Sequence, residues 1–100
     1  MEIGEFQKLI HDIYFHKDSR RGVEETFLWF VEEVGELSEA IRKRDKEAME
    51  EEVADVLAWL MSLANLLDID VEEATKKKYP GACPYCGKNP CECLEPGLKD

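Results

Sequence analysis

The chain has 100 residues, which suits one domain, and its 44% hydrophobic fraction suits a globular one. Its 23 acidic residues against 13 basic give a net charge of −10, which excludes generic nucleic-acid or membrane-surface binding and leaves an anionic ligand approachable only through cations. The N-terminal "MEIGEFQKLIHDIYF" is acidic where a secretory signal is basic, and Val53–Leu67 is interrupted by Asp55, Ser62 and Asn65 and falls short of the roughly 20 residues of a membrane span. A cytoplasmic location is therefore expected.

The pattern predicts an all-α fold. A first helix spans about Glu2–His16, with Ile3, Phe6, Leu9, Ile10 and Ile13 at helical spacing. "HKDSRRG" follows as a polar loop. A second helix runs from about Val23 to Arg44, with Phe27, Phe30, Val31, Val34, Leu37 and Ile41 as its apolar stripe. Asp45 caps a third, about Lys46–Leu67. So short a link implies an antiparallel hairpin. A short fourth helix spans Asp70–Lys78 and ends at Pro80-Gly81. Residues 1–80 are expected to form the helical catalytic domain and residues 81–100 a small Cys-rich tail. The third helix is apolar nearly all round, which a chain this short cannot cover alone. A homo-oligomeric bundle, dimer or tetramer, is therefore expected, with this helix near the interface.

Polarity breaks the pattern at four carboxylates. On the second helix Glu33 and Glu36 sit on the shoulder of the apolar stripe, while Glu32 and Glu39 fall on the solvent side. On the third, Glu52 and Asp55 repeat the arrangement. Folding the hairpin about residue 44 brings Glu36 level with Glu52, Glu33 level with Asp55, and Trp29 level with Trp59. The i, i+3 spacing keeps each pair on one face. Four clustered carboxylates, partly out of water, raise one another's pKa, and a hard divalent cation resolves the conflict. Asp55, between Val53, Ala54, Val56 and Leu57, is expected to be buried and so to need a partner.

"EEVGE" followed by "EVAD" resembles the EExxE…ExxD signature of MazG-type nucleoside triphosphate pyrophosphohydrolases, and the resemblance covers about Phe6 to Pro80. It implies an all-α enzyme that uses Mg²⁺, with Mn²⁺ as an alternative, to split (d)NTP into (d)NMP and pyrophosphate in nucleotide-pool house-cleaning. Carried over, the metal-binding and catalytic residues are Glu33, Glu36, Glu52 and Asp55, the four chosen by position alone. Lys76, Lys77 and Lys78, with Arg20 and Arg21, are candidates for the phosphate chain. Against this, the lysines complement a helix C-terminus and the arginines solvate a loop equally well. Trp29 and Trp59 are candidates for the base, or else hairpin core. A phosphoribosyl-ATP pyrophosphatase shares the acidic helix pair, and a non-catalytic helical interaction module is the alternative from another class.

All four cysteines lie at or beyond Cys83, which points to one local device. Cys83, Cys86, Cys91 and Cys93 form C-x2-C-x4-C-x-C. "CPYCG" reads like a zinc knuckle, so structural Zn²⁺ is the leading expectation, with disulfides and free thiols as alternatives.

Overall fold

The computed structural model describes residues 1–94; the end of the expected tail, residues 95–100 including Lys99, lies outside the described residues. Among the described residues the fold is all-helical: α1 (Ile3–Arg21), α2 (Val23–Lys43), α3 (Lys46–Leu66) and α4 (Val71–Lys78).

The first departure from expectation is the length of α1. "HKDSRR" is not a loop but the last turn and a half of the helix, so Arg20 and Arg21 are helical residues. Only Gly22 separates α1 from α2. It takes φ 91°, a backbone that an L side chain strains to adopt. Its N–H donates to the Asp18 carbonyl at 2.9 Å, and its own carbonyl accepts from Thr26 N–H at 3.1 Å. One glycine thus closes one helix and opens the next. The buried side of α1 is also rotated from the expected stripe. Gln7, Ile10 and Asp18 face inward, while Leu9 and Ile13 are exposed.

The α2–α3 hairpin forms as its turn chemistry requires. Arg44 takes the left-handed conformation, φ 56° and ψ 32°, and its N–H returns to the Ile41 carbonyl at 3.1 Å. Asp45 then caps α3 by accepting from Ala48 N–H at 3.2 Å. Asp70 caps α4 likewise, from Glu73 N–H at 3.1 Å.

α1 packs across α3 and is pinned at its start by Gln7. The Gln7 amide donates to Asn65 Oδ1 at 2.9 Å and to the Ile69 carbonyl at 2.7 Å, and its oxygen accepts from Val71 N–H at 2.9 Å. A buried amide satisfied on both atoms fixes the α3–α4 corner against α1. Among the described residues the buried apolar core is small: Ile10, Ala40, Met61 and Ala64.

α2 leaves Phe27, Val31, Val34 and Ile41 exposed, and α3 leaves Val53, Leu57 and Leu60 exposed. Each set falls on one stripe at spacings of three, four or seven residues. Val31 and Leu57 are level with each other across the hairpin. The third helix is therefore not covered all round within one chain. Among the described residues no helix is long and apolar enough to cross a membrane.

Candidate functional site

The acidic site is built by the two hairpin helices. Glu33, Glu52 and Asp55 each bring one carboxylate oxygen into a group in which all lie within 4.8 Å of one another. Glu36 is exposed and stands outside this tight group, though its charge still acts on Glu33. The expectation of a buried Asp55 is corrected: Asp55 is exposed in the single chain, and Glu52 is the deeper group. The reason is geometric. The neighbours of Asp55 in sequence point away from it around the helix, so their apolar character does not cover it.

Electrostatics mark the cluster as under tension. Glu33 is pushed from its ordinary 4.5 to about 7, first by burial, then by the close Glu52 side chain and by the charges of Glu52, Asp55 and Glu36. Glu52 Oε1 is buried and has no hydrogen-bond donor. Three convergent oxygens, from carboxylates of which one carries an unpartnered buried oxygen and one is reluctant to ionise, suit a small hard cation, which takes oxygen ligands.

Beyond the carboxylates, Trp29 and Trp59 stack, centroids 6.0 Å apart at 18°. The Arg21 guanidinium lies 4.9 Å from the centre of the Trp59 ring. It also donates to Asp18 Oδ1 at 2.8 Å and to Thr26 Oγ1 at 3.2 Å. Asp18 is only 2% exposed, and its second oxygen has no partner. Tyr14, Lys17, Asp18 and Arg21 of α1 face Asp55, Trp59 and Ser62 of α3 across a cleft of about 280 Å³.

The remaining candidates are placed apart. Arg20 is exposed and does not line the cleft. Lys76 pairs with Glu72 at 3.4 Å and reaches Glu73 at 4.0 Å. Lys78 donates to the Tyr85 hydroxyl at 3.2 Å. Lys76, Lys77 and Lys78 are all on α4, and none lines the cleft beside Asp55. In their place stands Lys17, which the sequence reading passed over, as it did Asp18. The signal was available: Ile3, Gln7, Ile10, Tyr14, Asp18 and Arg21 repeat every three or four residues, one stripe that runs straight through the supposed loop.

The model of the MazG nucleotide pyrophosphohydrolase domain matches residues 21–87. The chain belongs to that family. The MazG match includes the whole hairpin with Glu33, Glu36, Glu52 and Asp55, the two tryptophans and Arg21. It leaves out Lys17 and Asp18 at one end, and Cys91 and Cys93 at the other. The chain is also 45% identical to the uncharacterized protein YpjD of Bacillus subtilis (strain 168), over a stretch covering 44% of this chain and 49% of that protein. The chain thus spans about half the length of that relative.

Proposed function

We propose that the protein hydrolyses nucleoside triphosphates, ribo or deoxy, to the monophosphate and pyrophosphate, with Mg²⁺ held by Glu33, Glu52 and Asp55 and assisted by Glu36. The observation that carries this reading is the convergence of three carboxylate oxygens within 4.8 Å beside a cleft that holds an arginine, a lysine and an indole. Acid, cation and aromatic are the three chemistries that a Mg²⁺–nucleotide needs.

When bound, the divalent ion supplies charge neutralisation on the phosphate oxygens. The chain's own residues do the rest. Lys17 and Arg21 face the phosphate chain from α1 and offset its charge. The exposed edge of the tryptophan stack gives the base an apolar surface, and Arg21 lies over Trp59 so that one residue serves both ends of the ligand. Water attacks the α-phosphorus, the bond to the bridging oxygen breaks, and pyrophosphate leaves. A carboxylate of the cluster accepts the proton of the attacking water.

The cleft, at about 280 Å³, falls just below the usual 300–1,000 Å³ range of ligand pockets. In this reading a second copy of the chain covers the exposed stripes of α2 and α3 and completes the site, as a homodimer or within a tetramer. An acidic surface with net charge −10 disfavours nucleic acid and membranes as partners, and the proposed setting is cytoplasmic nucleotide-pool house-cleaning.

The test is pyrophosphate release from a panel of NTPs, dNTPs and phosphoribosyl-ATP, with and without Mg²⁺. Turnover of at least one (d)NTP with strict Mg²⁺ dependence is expected. Turnover of phosphoribosyl-ATP alone would reassign the substrate, and none at all from folded, Mg²⁺-binding protein would remove the enzymatic reading.

A further inference from the structure

We infer that the segment from Gly81 to Leu94 is a closed zinc site in which Cys83, Cys86, Cys91 and Cys93 hold one Zn²⁺, independent of the carboxylate cluster and of the hydrolase reading.

Three observations converge on it. The first is the spacing of the sulfurs. Cys83 Sγ lies 3.8 Å from Cys93 Sγ, Cys86 Sγ lies 3.9 Å from Cys91 Sγ, and all four sulfurs are within 4.8 Å of one another. A tetrahedron of thiolates with metal–sulfur bonds of about 2.3 Å has edges of about 3.8 Å. The separations therefore match a tetrathiolate site, and the cysteines are free of disulfides.

The second is the direction of the backbone amides. Tyr85 N–H donates to Cys83 Sγ at 3.4 Å, Glu92 N–H to Cys86 Sγ at 3.3 Å, and Cys93 N–H to Cys91 Sγ at 3.3 Å. Donors aimed at three of four sulfurs support thiolates and set their orientation, the work of the outer partners of a metal site. The turn that aims the first of them depends on Gly87, at φ 75°, whose N–H returns to the Cys83 carbonyl at 2.8 Å. Cys83 N–H in turn donates to the Lys88 carbonyl at 3.0 Å.

The third is what the segment lacks. It contains no helix or strand, and its apolar side chains, the cysteines aside, amount to Ala82, Pro84, Tyr85, Pro90 and Leu94, the last four exposed. So short a segment cannot bury enough surface to offset the entropy of ordering it. Its other ties are the Asn89 amide to the Gly81 carbonyl at 3.1 Å, an exposed Lys88–Glu92 ion pair at 3.8 Å, and Tyr85 against Lys78. A metal ion is the staple that such a segment needs, and soft sulfur ligands in a closed tetrahedron select zinc.

The experiment uses the full chain, purified without chelator and under reducing conditions. Elemental analysis should find about one zinc per chain. Replacing it with Co²⁺ should give the visible absorption of a tetrahedral thiolate complex. The Cys86→Ser/Cys91→Ser double variant should lose the zinc while its far-ultraviolet circular dichroism keeps the helical signal. The wild-type measurement alone suffices if that variant fails to fold. Backbone NMR should show that zinc removal collapses the signals of residues 81–94 and leaves those of α2 and α3 in place. Wild-type protein with zinc far below one per chain after reconstitution, with iron in its place, or with two disulfides in place of four thiols would overturn the assignment. So would full zinc occupancy in the double variant.

Discussion

Glu33 gives the sharpest handle on the acidic cluster. Its pKa is raised from 4.5 to about 7, chiefly because burial and the neighbouring Glu52 disfavour its charge. Between those two values the folded chain holds a proton that the unfolded chain has released. Stability of the protein without added divalent cation must then fall as pH rises from about 4.5 through 7, and level off above. A rise of that size corresponds to at most about 3.4 kcal/mol, and solvent screening at a half-buried carboxylate reduces it to about 1–2 kcal/mol. The replacement Glu33→Gln keeps the shape and removes the charge. At pH 8 without divalent cation it should raise the melting temperature by about 5–10 °C for a chain of this length. Below the unfolded value, at pH 4, the two proteins should melt together. Mg²⁺ should reverse the order at pH 8, because the ion stabilises only the protein that keeps the carboxylate. Thermal melts at both pH values, with and without Mg²⁺, read all four outcomes. Equal pH dependence in wild type and Glu33→Gln, or a lower melting point for the variant at pH 8 without the ion, would refute the reasoning.

Other predictions follow from the same geometry. Asp55→Asn should remove both Mg²⁺-induced stabilisation and pyrophosphate release, whereas Glu32→Gln, on the exposed side of α2, should change neither, as melts and a release assay will show. Arg21→Ala strands the buried Asp18 carboxylate and should cost about 3 kcal/mol by denaturant titration, with partial recovery in Asp18→Asn/Arg21→Ala. Trp59→Ala removes the stacked surface and should raise KM for nucleotide more than it lowers kcat, checked by steady-state kinetics. Light scattering should return a multiple of the 11.5 kDa chain mass, and Leu57→Glu should shift it toward the monomer; a wild-type monomer at micromolar concentration would leave the exposed stripes unexplained.

Some of this was legible in the sequence and some was not, for identifiable reasons. The hairpin was readable because Arg44-Asp45 leaves no room for anything but a tight reversal, and Asp45 names the start of α3. Three of the four expected carboxylates converge from positions symmetric about that turn, with Glu36 outside the tight group, and the tryptophans stack at 6.0 Å from the same symmetry. The continuation of α1 was missed because "HKDSRR" has no apolar residue. Its inward group is Asp18, whose burial depends on Arg21 three residues later, and a hydrophobic pattern does not register an ion pair. Gly22 was the better guide to where α1 stops. The lysines of α4 stand apart from the cleft for another reason. Their direction depends on the corner after α3, where Asp68 takes φ 58° and Gln7 holds the next residues, and neither contact is local in sequence. Burial of Asp55 was inferred from its neighbours along the chain, although residues adjacent in a helix point some 100° apart.

The central claim is that the carboxylate cluster and the Trp59–Arg21 cleft together cleave a nucleotide between its α and β phosphates. The most direct measurement is product analysis by phosphorus NMR of a (d)NTP incubated with the protein and Mg²⁺. The account predicts nucleoside monophosphate and pyrophosphate in equal amounts, from wild type and Glu32→Gln and not from Asp55→Asn. Nucleoside diphosphate and inorganic phosphate as the products, or undiminished turnover by Asp55→Asn, would contradict it.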